Sequence, residues 1–171
     1  PHDLGLYPEA LFLALIFTSK FVPPLNEVAF PAYARVQHDP QVAARGFLKA
    51  VRFVMLVACP LYAGLALTTP SLIETLFGAK WMGMAPYATI IAIAMPIITL
   101  QILFAPATNG LGQPRIAMWS AAAGAIIMPL CFLGGLQWGA IGLAAAWLAG
   151  APLLLAVTGR LSLPAIGARW G

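Results

Sequence analysis

The residues best placed to do chemistry are a lysine and a glutamate inside one apolar stretch. Lys20 and Glu27 are seven residues apart, so on an α-helix they share a face and lie about 10 Å apart along its axis. A charge near mid-membrane costs roughly 2.5–3.5 kcal/mol, so it should face the protein interior or a wet cavity. Asn26, next to Glu27, and Arg52 are the other two candidate substrate-binding residues.

Two interpretations of the Lys20–Glu27 spacing stay open. In the first, the two side chains form a structural charge pair, directly or through water. In the second, Lys20 is a cation that lines a cavity and contacts an anionic headgroup, while Glu27 is its partner or a proton or ion site. A separate basic face, formed by Arg45, Lys49 and Arg52 at spacing i, i+4, i+7, is either snorkelling against anionic lipid or a cytoplasmic basic mouth that attracts pyrophosphate headgroups.

No sequence motif points to catalysis or to a metal. The patterns H-E-x-x-H, G-x-S-x-G and the P-loop do not occur. Only five carboxylates are present, most of them at the ends of apolar runs or in connectors, and His2 and His38 both lie in connectors. We therefore expect a protein that is not an enzyme and that has no metal and no cofactor.

The composition predicts a membrane protein whose elements are all helices. Of 171 residues, 61% are hydrophobic and 8% are charged, whereas soluble domains are about half apolar and about a quarter charged. The apolar runs do not alternate with polar residues as barrel strands do. The predicted fold is all-α, a polytopic membrane helix bundle in one domain over residues 1–171. About five transmembrane helices are expected, at 9–34, 50–69, 85–108, 116–136 and 140–159.

The distribution of basic residues predicts the orientation of these spans. One set of connectors carries seven of them, and the opposite set carries only Lys80. The seven are Arg35, Arg45, Lys49, Arg52, Arg115, Arg160 and Arg169. Because cytoplasmic connectors are enriched in Lys and Arg, the N-terminal end should be periplasmic and the C-terminal end cytoplasmic. This orientation explains the net charge of +4 without nucleic acid as a partner.

Two local patterns predict where helices begin. Asp39 followed by Pro40 is typical of an N-cap and a first helical turn. Ser71 and Glu74 have the spacing of a capping box, which predicts a separate short helix ending near Gly78. A turn is expected from Asn109 to Pro114, because this segment contains four residues that favour turns or end helices.

Several segments, in this order, resemble the oligosaccharide flippases of the multidrug/oligosaccharidyl-lipid/polysaccharide exporter superfamily, in particular the Wzx-type branch. The most specific is the run from Asn26 to Pro40, with Val-x-Phe-Pro-Ala followed by Gln-x-Asp. Leu4-Gly5-Leu6-Tyr7 precedes it, and Leu76-Phe77-Gly78-Ala79-Lys80-Trp81 and Asn109-Gly110-Leu111-Gly112-Gln113-Pro114-Arg115 follow it. The resemblance covers nearly all of the chain.

The resemblance implies one part of a two-lobe transporter of the bacterial inner membrane. Its lobes would surround a central cationic cavity, and the chain would supply most of the second lobe while the N-terminal lobe lies upstream. The expected substrate is an undecaprenyl-pyrophosphate-linked oligosaccharide for polysaccharide or lipopolysaccharide biosynthesis, with membrane lipids as the other partner. Two alternatives remain: a cation-coupled drug or small-molecule exporter of the same superfamily, and a membrane enzyme of the cell envelope.

Overall fold

A computed structural model of the chain describes the backbone of residues 2–168 and their side chains except at positions 2–5, 13, 16, 17, 21, 22 and 25. Its elements are helices throughout this range: α1 (His2–Arg35), α2 (Pro40–Leu76), α3 (Ala85–Ile102), α4 (Phe104–Gly110), α5 (Pro114–Gly135) and α6 (Gly139–Ile166). Two 3₁₀ turns, Ala79–Met84 and Leu136–Trp138, lie before α3 and between α5 and α6. The predicted all-α class is confirmed.

The number of membrane-crossing stretches is smaller than the predicted five. By length and composition, three helical stretches within residues 2–168 are long and apolar enough to cross a membrane: Pro40–Leu76, Ala79–Gly110 and Pro114–Ile166. The charged helix α1 is not among them, and the third stretch joins α5 and α6 through a short turn although the two helices pack side by side. The membrane limits of the individual spans stay a prediction.

The start of α2 is formed as predicted, but its predicted end is wrong. The Asp39 side chain accepts hydrogen bonds from the backbone N–H groups of Gln41 (3.0 Å) and Val42 (3.1 Å), which satisfies two donors that a helix start leaves open. No second helix begins at Ser71, because α2 continues to Leu76. The Ser71 carbonyl instead accepts a hydrogen bond from Thr75 Oγ1, 2.7 Å away, as in a helix interior.

Helix α3 lies at the centre of the bundle, where it packs against α1, α2 and α6. Its Ile91, Ala92 and Met95 are completely buried. Two hydrogen bonds join the surrounding helices: Thr18 Oγ1 in α1 pairs with the Tyr62 hydroxyl in α2, and Trp147 Nε1 in α6 donates to the Tyr7 hydroxyl at 2.9 Å. Helix α5 packs against α6 and α4.

The basic residues gather at one end of the bundle. A Cβ placed on Gly110 would lie 2.7 Å from Tyr33 Cβ, and one on Gly167 would lie 2.9 Å from the Pro40 carbonyl oxygen. The ends of α1, α4 and α6 therefore meet the start of α2. Within residues 2–168, this end carries Arg35, Arg45, Lys49, Arg115 and Arg160, whereas Lys80 lies at the opposite end. Arg169 lies outside the described residues.

Candidate functional site

Lys20 and Glu27 lie on the face of α1 that points away from the bundle. The buried face of α1 is formed by Leu6, Ala10, Ala14 and Thr18, which recur every four residues. Lys20 follows Thr18 by two positions, or about 200° around the helix, and is exposed, as is Glu27. The two charges thus share an outer face and do not enter the core of the bundle.

The direct charge pair between these residues does not form. Within the part of the chain that the structure describes, Lys20 and Glu27 make no ion pair with each other or with another side chain. Two uncompensated charges toward hydrocarbon would each cost roughly 2.5–3.5 kcal/mol. This outer face of α1 is therefore better suited to contact with water or polar groups than with hydrocarbon.

Arg52 lies at about the same level of the bundle as Glu27. The Thr18–Tyr62 hydrogen bond fixes the relative position of the antiparallel helices α1 and α2. From that contact, Glu27 is nine residues along α1, about 14 Å, and Arg52 is ten residues back along α2, about 15 Å. Arg52 is exposed and has no ion pair among the described residues.

The two other members of the basic face lie nearer the start of α2. Arg45 and Lys49 are both exposed, and Arg45 Nε donates to the Gln41 carbonyl oxygen at 3.2 Å. That bond holds the Arg45 stem along the helix and leaves most of its guanidinium donors available. The structure thus places the basic face on one exposed side of α2, leading from the end of the bundle toward the level of Glu27.

Asn26 lies on a different side of α1 from Lys20 and Glu27. Its side chain lines a pocket of about 300 Å³ between α1, α4, α5, α6 and the end of α3, near the end of the bundle that carries the basic residues. The other lining residues are Gln101, Ile102, Phe104, Ala105, Thr108, Ala117, Ser120, Ala121, Gly124, Leu154, Thr158 and Ser162. This pocket was not predicted from the sequence.

Neutral polar groups dominate the hydrogen bonding inside the pocket. Gln101 Nε2 donates to Thr158 Oγ1 at 2.9 Å, and Thr108 Oγ1 donates to the Phe104 carbonyl oxygen at 3.0 Å. Asn26 Oδ1 and Ser120 Oγ are buried atoms without a hydrogen-bond partner. Such atoms are rare in proteins and call for an explanation.

A break between α3 and α4 forms part of the pocket wall. Leu103 N–H bonds to the carbonyl of Leu100 three residues back, at 3.2 Å, so the helix tightens there. Pro106 has no N–H, and the carbonyl of Ile102, a lining residue, cannot receive the usual helical hydrogen bond. The signal in the sequence was a proline close to Gln101 and Thr108 within one apolar stretch.

Comparison with known protein families shows what this chain is related to. A family described as polysaccharide biosynthesis protein matches residues 1–86. The match covers half of the chain and includes α1 with Lys20, Asn26 and Glu27, and α2 with the whole basic face. The chain belongs to this family. The resemblance seen in the sequence is therefore confirmed at the level of the family.

Curated bacterial proteins of polysaccharide biosynthesis are similar to this member of the family. The teichuronic acid biosynthesis protein TuaB of Bacillus subtilis is 29% identical over 147 residues, which is 84% of this chain and 30% of TuaB. The lipopolysaccharide biosynthesis protein WzxC of Escherichia coli is 27% identical over 89 residues, 52% of this chain and 18% of WzxC. The amylovoran biosynthesis protein AmsL of Erwinia amylovora is 32% identical over 75 residues, 44% of this chain and 19% of AmsL.

The chain spans less than a third of the length of these relatives. No solved structure is similar enough to the chain to count as a match.

Proposed function

We propose that the full-length protein is a flippase that moves undecaprenyl-pyrophosphate-linked oligosaccharides across the bacterial inner membrane, without chemical change to the substrate. The observation that carries this proposal is the pair Lys20 and Glu27, which are exposed on an outer face of α1 and make no ion pair within the described part of the chain. Charges on such a face are tolerated where a wet cavity covers them. Relatives whose names refer to teichuronic acid and lipopolysaccharide biosynthesis support the class of substrate.

In this proposal the cations of α1 and α2 form a path for an anionic headgroup. Arg45 and Lys49 lie exposed near the start of α2, Arg52 lies deeper, and Lys20 lies about 10 Å beyond Glu27 along α1. A pyrophosphate attracted by Arg45 and Lys49 would meet Arg52 and then Lys20. A second lobe of the full-length protein forms the opposite wall of the cavity in this proposal.

Transport by the reconstituted protein tests the proposal against its alternatives. In proteoliposomes, a fluorescent undecaprenyl-pyrophosphate oligosaccharide should move from the inner to the outer leaflet and become accessible to a membrane-impermeant quencher. Its mass should stay unchanged, since a cell-envelope enzyme would alter the glycan or lipid. A cation gradient that drives uptake of a fluorescent drug, with no movement of the lipid, would favour the exporter instead.

The proposed orientation places the basic end of the bundle in the cytoplasm. Alkaline phosphatase, which is active only outside the cytoplasm, should be active when fused after Ala79 or Gln137 and inactive after His38 or Gln113. The reason is that, among residues 2–168, one end of the bundle carries five basic residues and the other carries Lys80. Activity in the reverse pattern, with equal amounts of fusion protein, would contradict this orientation.

A further inference from the structure

The pocket lined by Asn26 has the chemistry of a binding site for an uncharged ligand. Six of its lining side chains are neutral and polar, and none is charged; the polar six are Asn26, Gln101, Thr108, Ser120, Thr158 and Ser162. An ion in a low-dielectric site without a counter-charge is strongly disfavoured. A volume of about 300 Å³ lies at the lower limit of small-molecule pockets.

The unsatisfied atoms define what the ligand must offer. Asn26 Oδ1 is an acceptor, and Ser120 Oγ can accept or donate. They lie on α1 and α5, on different walls of the pocket, and a ligand with several hydroxyls offers partners of the kind that both atoms need. A buried polar group left unpaired costs about 1–3 kcal/mol, and hydroxyl binding removes that cost.

The opening of the pocket indicates where the ligand enters. Thr108, Thr158 and Ser162 are buried at its base, whereas Ala105 in α4 and Ala121 in α5 are exposed lining residues. In the flippase proposal a ligand enters beside Ala105 and Ala121, so this opening faces the transport path.

The pocket and the charged face of α1 adjoin the same turn of helix. Asn26 and Glu27 are consecutive, so their side chains differ by about 100° around α1 and about 1.5 Å along it. A ligand with an anionic part beside Glu27 and Lys20 has a neighbouring part within reach of Asn26. In a sugar pyrophosphate, that neighbouring part is a sugar ring.

We propose that this pocket binds one uncharged sugar residue, the glycan unit next to the pyrophosphate of the lipid-linked substrate. This inference rests on the proposed flippase function. Neutral amide and hydroxyl groups supply the hydrogen bonds, and Phe104 and Leu154 supply apolar contact for the sugar ring. The cation path on α1 and α2 selects the pyrophosphate, whereas the pocket selects the sugar.

Labelling of a cysteine at the opening tests this proposal in the full-length protein. Ala121→Cys is introduced after replacement of the native cysteines, including Cys59 and Cys131, and the protein is placed in lipid nanodiscs. A charged, water-soluble methanethiosulfonate should modify the new cysteine. An undecaprenyl-pyrophosphate oligosaccharide should slow modification about tenfold, and excess methyl glucoside should slow it to a smaller extent. Undecaprenyl pyrophosphate without sugar should leave the rate unchanged.

Two variants and one control show whether ligand bound in the pocket protects the cysteine at position 121. Ser120→Ala and Asn26→Leu each remove an unpaired atom, and each should weaken protection by the sugar-bearing lipid about five- to tenfold, the loss of one hydrogen bond. Ser120→Ala changes little volume and covers the case in which Asn26→Leu does not fold. Ala79→Cys, exposed at the opposite end of the bundle, should be modified equally with and without sugar.

Three results would overturn the sugar site. They are an unreactive Cys at position 121, equal protection by the lipid without sugar, and protection that persists in Ser120→Ala. If methyl glucoside protects the cysteine but the lipid-linked oligosaccharide does not, the pocket is a carbohydrate site that does not take the substrate, and this also overturns the assignment. Transport of the lipid-linked oligosaccharide by the parent protein is measured in parallel, so a failure of the flippase proposal is recognised separately.

Discussion

Replacement of Lys20 by alanine is expected to abolish surface polysaccharide in cells that depend on the full-length protein, with protein abundance near the wild-type level. Lys20 is exposed on the outer face of α1 and makes no ion pair among the described residues. Its removal therefore leaves no buried partner without a counter-charge, and the cost to stability is small. The cost to transport is large, because Lys20 is the deepest cation of the proposed path.

Two further substitutions test whether transport depends on the charge of Lys20, on the shape of its charged group and on its position in the bundle. Lys20→Arg keeps the charge but replaces a compact ammonium by a planar guanidinium, so part of the surface polysaccharide should remain. Lys80→Ala is the matched control, since Lys80 is also exposed but lies at the opposite end of the bundle. It should leave both polysaccharide and abundance unchanged. Immunoblots of membranes and quantification of surface glycan give the two measurements.

The charge-pair interpretation makes a different prediction for the same variants. If Lys20 and Glu27 neutralise each other through water, Lys20→Ala should lower abundance, and the double variant with Glu27→Gln should restore abundance and polysaccharide together. Normal polysaccharide in Lys20→Ala at normal abundance would remove Lys20 from the mechanism.

The features that could be predicted from the sequence depend on local chemistry. Asp39 caps a helix through its own side chain and the next three residues, so a short pattern is sufficient to recognise it. The all-α class follows from apolar runs that need every backbone hydrogen bond satisfied internally. That Lys20 and Glu27 share one face of α1 follows from helical periodicity. Which side of α1 packs inward depends on the small residues Ala10 and Ala14, which lie in the core.

The features that were missed depend on contacts between distant segments. Asn26 was grouped with Lys20 and Glu27 because it is adjacent in sequence, yet its side chain belongs to a pocket completed by Ser120 and Thr158. The capping-box pattern at Ser71 is equally compatible with a helix interior, because Thr75 can bond to the Ser71 carbonyl. A site shared by residues that are far apart in sequence, such as Asn26 and Ser120, cannot be predicted from either segment by itself.

Among the described glycines, the closest approach of two backbones is between Gly135 at the end of α5 and Gly142 in α6. A Cβ on Gly135 would overlap the carbonyl group of Gly142, with its carbon atom 2.7 Å away. A Cβ on Gly142 would in turn overlap the Gly135 carbonyl group, with its carbon atom 2.8 Å away. Neither obstacle is a flexible side chain, so neither can be relieved by a rotamer change.

Gly135→Ala is therefore expected to destabilise the full-length protein by about 1–3 kcal/mol, the usual cost of added volume in a packed site, and to lower its abundance. Gly134→Ala is the matched control, because a Cβ at Gly134 meets no atom within 4 Å. Alanine is favoured over glycine in a helix by about 1 kcal/mol, so the control should be neutral or slightly stabilising. The apparent Tm in detergent should therefore fall for Gly135→Ala but not for Gly134→Ala.

The same pair of variants shows whether the α5–α6 packing supports the pocket. Both helices contribute to the pocket wall, with Ser120 and Ala121 from α5 and Thr158 and Ser162 from α6. Protein of the Gly135→Ala variant that does reach the membrane should lose sugar protection of a cysteine at position 121, whereas Gly134→Ala should retain it. Equal Tm values for the two variants would show that the backbones separate without cost, and the close packing of α5 on α6 would then have no role in stability.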